Sequence, residues 1–222
     1  MTPLLEARAL ARTAPEQHDT LLAPTDFTLA PGERVAIIGA SGSGKSVFLR
    51  ALALLDAPSG GRVTWQRQNV SPQRITEYRA SVCYLAQRPA LVGGTVLDNL
   101  RLPFTLASHR SRTFDREAVT ALLLQAGKPP AFLDRSADDL SGGEAQIVAL
   151  VRVLQLAPQV ILFDEPTAAL DPHSATAVER LVTDWFEAAP QTRAFVWVSH
   201  DHEQARRLCR RQLNMHQGVL QP

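Results

Sequence analysis

Gly39-Ala40-Ser41-Gly42-Ser43-Gly44-Lys45-Ser46 satisfies every fixed position of the phosphate-loop pattern G-x-x-x-x-G-K-[ST]. The pattern carries weight only between a strand and a helix, and both flanks qualify. Val35-Ala36-Ile37-Ile38 is an apolar run of the kind that forms a strand buried on both faces. From Val47 to Leu55, the residues Phe48, Leu49, Leu52 and Leu55 recur at helical spacing. Each residue type answers a chemical need. Glycines let the backbone curl so that successive N–H groups point at phosphate oxygens, and the helix N-terminus adds its positive dipole end. Lys45 supplies a point charge for the β- and γ-phosphates, and the Ser46 hydroxyl is a ligand for Mg²⁺. A Gly/Ser-rich turn with an accidental lysine leaves the flanking strand and helix unexplained. Lys45 is also one of only two lysines in the chain, the other being Lys128.

At 222 residues the chain is long enough for one sizeable α/β domain, or for such a domain with an inserted lobe. Its hydrophobic fraction of 45% is ordinary for a globular protein, and its formal net charge of +1 gives no general attraction to nucleic acid. Cys83 and Cys209 lack metal-type spacing, which fits a reduced, cytoplasmic setting. The stretch from Met1 to Leu10 lacks the apolar centre of a signal peptide. The longest uncharged run, Val153 to Phe163, is broken by Pro158 and is too short to cross a bilayer. The expectation is a soluble protein that meets a membrane only through a partner.

Outward from the phosphate loop, Leu4 to Leu10 and Asp26 to Leu29 read as strands of an antiparallel edge, with a polar turn around Pro15 to Thr20. Pro31-Gly32-Glu33 and Pro58-Ser59-Gly60-Gly61 are turns, and Arg62 to Gln66 alternates as a strand does. Val82 to Ala86 is a buried-strand candidate ending at Gln87. From Arg88 to Pro158 helical patterns replace strands, at Val96 to Leu102, Arg116 to Ala126 and Ala145 to Ala157. Then come a strand at Val160 to Phe163, a helix at Ser174 to Ala188, a strand at Ala194 to Val198 and a helix at Glu203 to Cys209. Leu213 to Met215 and Val219-Leu220 read as final edge strands. The spacing thus predicts an α/β core formed by residues 1–87 and 159–222, into which a helical subdomain of residues 88–158 is inserted.

Four further features bear on chemistry. The strand Val160 to Phe163 ends in Asp164-Glu165. Asp164 at a strand's C-terminal end can hold Mg²⁺ through water beside the phosphate loop, and Glu165 can orient and polarise an attacking water. Ser141-Gly142-Gly143-Glu144 matches a capping box, S-x-x-E, at the start of a helix. A capping box does not need two glycines, which cost helix stability, whereas close approach of a phosphate to the helix N-terminus does. Lying so far along the chain, this stretch suggests a second phosphate contact, in a partner subunit. Gln87 ends one strand and can reach Mg²⁺ or water with its amide oxygen. His200 ends another, where a γ-phosphate contact is open to it.

In this order the phosphate loop, the strand-end Gln87, Leu140-Ser141-Gly142-Gly143-Glu144, Asp164-Glu165, Ala169-Leu170-Asp171 and His200 resemble the ATP-binding subunits of ABC transporters over essentially the whole chain. The resemblance implies a P-loop NTPase fold, with a RecA-like core, an antiparallel β edge and a helical subdomain. It implies ATP and Mg²⁺ as ligands and a head-to-tail pair of subunits with each ATP between them. On that pattern ATP would lie along Gly39, Ala40, Ser41, Gly42, Ser43, Gly44, Lys45, Ser46 and Val47. Ser141, Gly142, Gly143 and Glu144 would face the nucleotide of the partner copy. Ser46, Gln87 and Asp164 would serve the metal. Glu165 would be the catalytic carboxylate, with Lys45 and His200 on the γ-phosphate, and Asp171 would lie in a loop linking the two sites. An integral membrane permease would be the second partner, with the chain peripheral on the cytoplasmic face of the membrane. Tyr84 to Leu91, Gly94 to Leu100, Arg152 to Gln155 and Trp197 to Asp201 resemble, within the family, the compact FetA-type subunits associated with iron export.

The sequence departs from the family pattern in three places. No Tyr, Phe or Trp precedes Phe27 to stack on adenine, and Arg12 stands at or near that position. A guanidinium plane can stack on a ring, so Arg12 is expected to take the part. Ala168 replaces a serine common before Ala-Leu-Asp, and Gln146-Ile147 replaces Gln-Arg; neither removes a group that the chemistry needs. A soluble ATPase of the same family serving cluster assembly or lipoprotein extraction is the alternative to a transport motor. A catalytically silent module is at odds with Lys45, Glu165 and His200.

Overall fold

The structure, a computed structural model, describes residues 2–14 and 19–222. Residues 15–18 of the polar turn expected at Pro15 to Thr20 lie outside the described residues. By internal contacts the chain forms two compact units. The first comprises Met1–Tyr84, Gln159–Glu165 and Ala189–Pro222, and the second Leu85–Pro158 and Pro166–Ala188.

The first unit is built on two sheets. One is antiparallel: β1 (Leu5–Thr13) pairs with β2 (Thr20–Leu29) and β4 (Gly60–Trp65), and β4 pairs with β5 (Gln68–Asn69). The other contains β3 (Arg34–Ile38), β6 (Val82–Leu85), β7 (Val160–Asp164), β8 (Ala194–Ser199), β9 (Arg211–His216) and β10 (Val219–Gln221), in the order β10-β9-β3-β8-β7-β6. The pairs β3–β8, β7–β8 and β3–β9 are parallel. All five residues of β7 and all six of β8 are buried, as continuous apolar runs in the middle of a parallel sheet should be. Helix α1 (Lys45–Leu52) packs against both sheets, burying Phe48, Leu49, Ala51 and Leu52. Phe48 meets Phe27 of β2 edge-on, with centroids 5.4 Å apart.

One expectation about this unit needs correction, and one element was not anticipated. Leu213 to Met215 was expected at an edge, but β9 is an interior strand between β3 and β10; β10 alone ends the sheet there. Only Leu213 and Met215 of β9 are buried, while Asn214 and His216 face solvent, so the strand alternates as an edge strand does. Between Trp65 and Val82 lies a helix that periodicity does not reveal, α2 (Ile75–Ser81). It buries only Tyr78, whose hydroxyl donates to the Leu52 carbonyl at the end of α1.

The second unit is helical: α3 (Val96–Arg101), α4 (Arg116–Gln125), α5 (Gly142–Leu154) and α6 (Pro172–Glu187). Its centre is α5, buried at every position from Gln146 to Val151 and packed on the other three. The expected start of α5 at Ala145 was three residues late. Gly142 and Gly143 already lie in its first turn, because the Ser141 hydroxyl accepts from the Glu144 N–H and the Glu144 carboxylate from the Ser141 N–H. Helix α6 likewise begins before Ser174, with Asp171 as its N-cap. Asn99, fully buried, bonds Val92 and Thr95 and so fixes the turn before α3. The last helix, α7 (His202–Leu208), belongs to the first unit.

Candidate active site

Strand register determines what meets at one end of the six-stranded sheet. Ile38 pairs with Ser199 and Asp164 with Val198, so Gly39, Glu165 and His200 leave β3, β7 and β8 side by side. In an open α/β sheet this C-terminal end is where ligands bind. Gly39 leads directly into the phosphate loop, whose two sharp bends fall at Gly42 and Gly44, with φ of 75° and 106°. Gly44 is also the N-cap of α1, so the loop's amides are continuous with the helix's unpaired N–H groups. Gly39 is needed for a different reason: a Cβ there would stand 2.3 Å from the Met215 carbonyl oxygen. A bond of 2.8 Å from the Gly218 N–H to the Ser43 carbonyl ties the loop to the β9–β10 turn.

Lys45, 5% exposed, donates to the carbonyls of Gly39 at 2.8 Å and Ala40 at 2.9 Å. Its ammonium lies 3.5 Å from Glu165 Oε1, and the other oxygen of Glu165 lies 3.5 Å from His200 Nδ1. Glu165 adopts φ 46°, the left-handed region that non-glycine residues seldom enter. Such strain costs about 1–3 kcal/mol and gathers at functional sites. Here the Glu165 N–H holds the bend by donating to the Val198 carbonyl at 3.2 Å. His200 is exposed, but the turn that carries it is fixed from below. Buried Gln204 accepts from the Trp197 indole at 3.1 Å and the Ser199 hydroxyl at 2.8 Å, and Ser199 in turn accepts from the Asp201 N–H.

Asp164 is buried, and its Oδ1 accepts from the Ser46 hydroxyl at 2.9 Å. The donor set is one hydroxyl and one carboxylate, both hard oxygen ligands. Among the described residues there is no cluster of three or more His, Cys, Asp or Glu to hold a metal alone. That set suits Mg²⁺, which takes one or two protein oxygens and fills its shell with water and phosphate. Sequence reasoning missed the second partner of Asp164: Oδ2 accepts from the Tyr84 hydroxyl at 2.7 Å. Burial first, and the bond to Asp164 second, raise the Tyr84 phenol well above its ordinary range.

The remaining expected site residues fall elsewhere. Arg12, on β1, donates through Nη1 to the Ala57 carbonyl at 2.7 Å, so its guanidinium braces the loop after α1. Gln87, Ser141 to Glu144 and Asp171 belong to the second unit. There Gln87 is exposed, two residues beyond the end of β6. The Gln146 amide reaches the Ala86 carbonyl at 3.4 Å and Arg152 the Ala90 carbonyl at 2.8 Å, strapping the Gln87 stretch to α5. Glu144 pairs with Lys128 at 3.2 Å and Arg135 at 2.7 Å. Burial opposes the charge, yet the Ser141 N–H, Lys128 and Arg135 hold the Glu144 carboxyl down to about 2. Asp171 accepts from the N–H groups of His173 and Ser174 and from the Ser174 hydroxyl at 2.6 Å. That hydroxyl is also the nearest neighbour a Cβ at Gly143 would meet, at 3.1 Å.

Comparison with known proteins shows the family and the fold. Residues 22–168 match the ABC transporter family. A putative ABC transporter ATP-binding protein, YjkB of Bacillus subtilis, is 36% identical over 93% of this chain and 80% of its own length. The probable iron export ATP-binding protein FetA of Escherichia coli is 34% identical over 91% of this chain and 87% of its own. LolD of Idiomarina loihiensis, the ATP-binding protein of a lipoprotein-releasing system, is 34% identical over 98% and 96%. Among solved structures, a dimeric ATP-binding cassette in a post-hydrolysis state with ADP and Pi superposes with a TM-score of 0.85, at 27% identity, covering 96% of this chain and 95% of the other. The fold is that of the P-loop ATPases, and the chain belongs to the ABC transporter family as an ATP-binding subunit.

Proposed function

We propose that this chain hydrolyses ATP with Mg²⁺ and uses the cycle to drive a separate integral membrane permease, working as a head-to-tail pair of identical subunits. The single observation behind the reading is that the Glu165 carboxylate lies 3.5 Å from Lys45 through one oxygen and 3.5 Å from His200 through the other, next in the chain to Asp164, which pairs with Ser46. In this scheme the amides of Gly39 to Val47 and the Lys45 ammonium bind the phosphates, and Ser46 and Asp164 hold the metal with Gln87. When bound, Mg²⁺ neutralises charge on the β- and γ-phosphate oxygens. Glu165 takes up the proton of the attacking water, and His200 steadies the γ-phosphate. Ser141, Gly142, Gly143 and Glu144 complete the site of the partner copy, and Arg12 stacks on adenine. Residues 1–87 and 159–222 act as the catalytic core and 88–158 as the helical subdomain. Among the described residues no helix is long and apolar enough to cross a membrane. From its likeness to the ATP-binding proteins of transporters we place the chain on the cytoplasmic face, held by its permease. Iron export is the narrower reading and has FetA behind it. A methionine import protein and LolD reach the same 34% identity, and they do not favour that cargo.

The test is capture of tagged Glu165→Gln protein from its own cell membranes in Mg-ATP. A polytopic membrane protein in the eluate is the expected result, and its identity names the cargo class. Soluble partners alone would overturn the transport reading in favour of a soluble ATPase of the same family.

A further inference from the structure

A carboxylate as buried as Asp164, 3% exposed, needs both oxygens met. The phosphate loop accounts for one, through Ser46. The other is met by the phenol of Tyr84, on β6, eighty positions away in sequence. Tyr84 is itself held in place. The charge of the Arg50 guanidinium of α1 acts on its phenol, and that guanidinium is locked by two bonds of 2.8 Å to the Asp56 carboxylate. A phenol has one hydrogen. A nearby guanidinium only donates and a carboxylate only accepts, so that hydrogen serves Asp164.

We propose, on the reading of Asp164 as a metal-holding group, that Tyr84 is a positioning residue whose hydroxyl fixes the plane of the Asp164 carboxylate for Mg²⁺. The terminal torsion of an aspartate is soft. Donors at 2.9 Å from α1 and 2.7 Å from β6 remove that freedom from two directions. Groups that orient a metal ligand in this way typically contribute 10- to 100-fold in metal affinity. Tyr84 is also the last residue of the first unit, three positions before Gln87, so the same bond anchors the strand from which the Gln87 stretch departs.

The test is calorimetric binding of a non-hydrolysable ATP analogue, with Mg²⁺ and with EDTA, to wild type, Tyr84→Phe and Tyr78→Phe. Wild type should bind more tightly with Mg²⁺. Tyr84→Phe should keep its EDTA affinity within about twofold and lose about tenfold of the Mg²⁺-dependent gain. Tyr78→Phe removes a phenol that serves the Leu52 carbonyl and should keep the full gain. A gain in Tyr84→Phe equal to or above wild type overturns the proposal, as does an equal loss in EDTA, which marks support of the fold alone. Should Tyr84→Phe not fold, Arg50→Gln, which leaves the phenol but frees its hydrogen, should lose about threefold of the gain; no loss there overturns the proposal too. Wild type without any Mg²⁺-dependent gain would sink the metal reading itself.

Discussion

Gly142→Ala separates what the fold needs from what the proposed chemistry needs. Gly142 is the first residue of α5, its φ is not left-handed, and a Cβ built on it meets nothing within 4 Å. The capping bonds between Ser141 and Glu144, at 3.0 and 3.3 Å, do not involve its side-chain position. Alanine is the better helix former by up to about 1 kcal/mol. For a chain of this size that is a rise in Tm of about 1–4 °C. The fold alone would therefore favour alanine. If a partner's γ-phosphate is bound at this helix N-terminus, its oxygens approach the amides to about 2.9 Å, and a methyl group there pushes them off by up to about 1 Å. Displacement on that scale costs about 10²-fold in rate. Phosphate release at saturating Mg-ATP, alongside differential scanning calorimetry, reads both effects. The expected result is a more stable and nearly inactive protein. Turnover within twofold of wild type would refute the assignment of Gly142 to a nucleotide.

Gly39→Ala should harm fold and site together: its Cβ would be 2.3 Å from the Met215 carbonyl and 2.8 Å from Ser43 Oγ. Overpacking of that kind costs about 1–3 kcal/mol, a fall in Tm of about 2–10 °C, and ATP affinity should fall with it because the Gly39 carbonyl holds Lys45. Glu144 has its carboxyl lowered in the folded state to about 2, so its contribution is complete above the unfolded value near 4.5 and is lost as pH falls toward 2. Glu144→Gln should flatten the urea-unfolding profile between those limits by about 1–2 kcal/mol; a profile that keeps the wild-type slope contradicts the pairing with Lys128 and Arg135. Arg12→Ala should weaken ATP binding by about 3- to 30-fold if the guanidinium stacks on adenine. A fall in stability without a change in ATP affinity would leave Arg12 only as the brace of Ala57.

Features carried by neighbours in sequence were legible. The phosphate loop is eight consecutive residues between a strand and a helix, and β7 and β8 announce themselves as apolar runs with polar groups at their ends. That their ends would lie together followed from the rule for open parallel sheets. Relations between distant residues were not legible. Nothing local to Tyr84 says that its hydroxyl meets Asp164. Short elements with one buried face escaped for the same reason. In α2 only Tyr78 is buried, too little for a helical period, and β9 carries polar residues on alternate positions although it sits inside its sheet. At α5 the Ser141–Glu144 capping box was legible, but the periodic run was counted only from Ala145, although the box already draws Gly142 and Gly143 into the first turn. Asp171 read as part of a linking loop, and its bonds to His173 and Ser174 make it a helix cap as well.

The central claim is that Glu165, set between Lys45 and His200, drives hydrolysis of ATP. Phosphate release by the purified wild-type chain and by Glu165→Gln, at saturating Mg-ATP, tests it most directly. The account predicts steady turnover by wild type and a fall of about 10²–10⁴-fold in the variant, the range for loss of a positioned proton acceptor, with ATP binding retained. Equal rates in the two proteins, or a wild type that binds ATP and never releases phosphate, would contradict it.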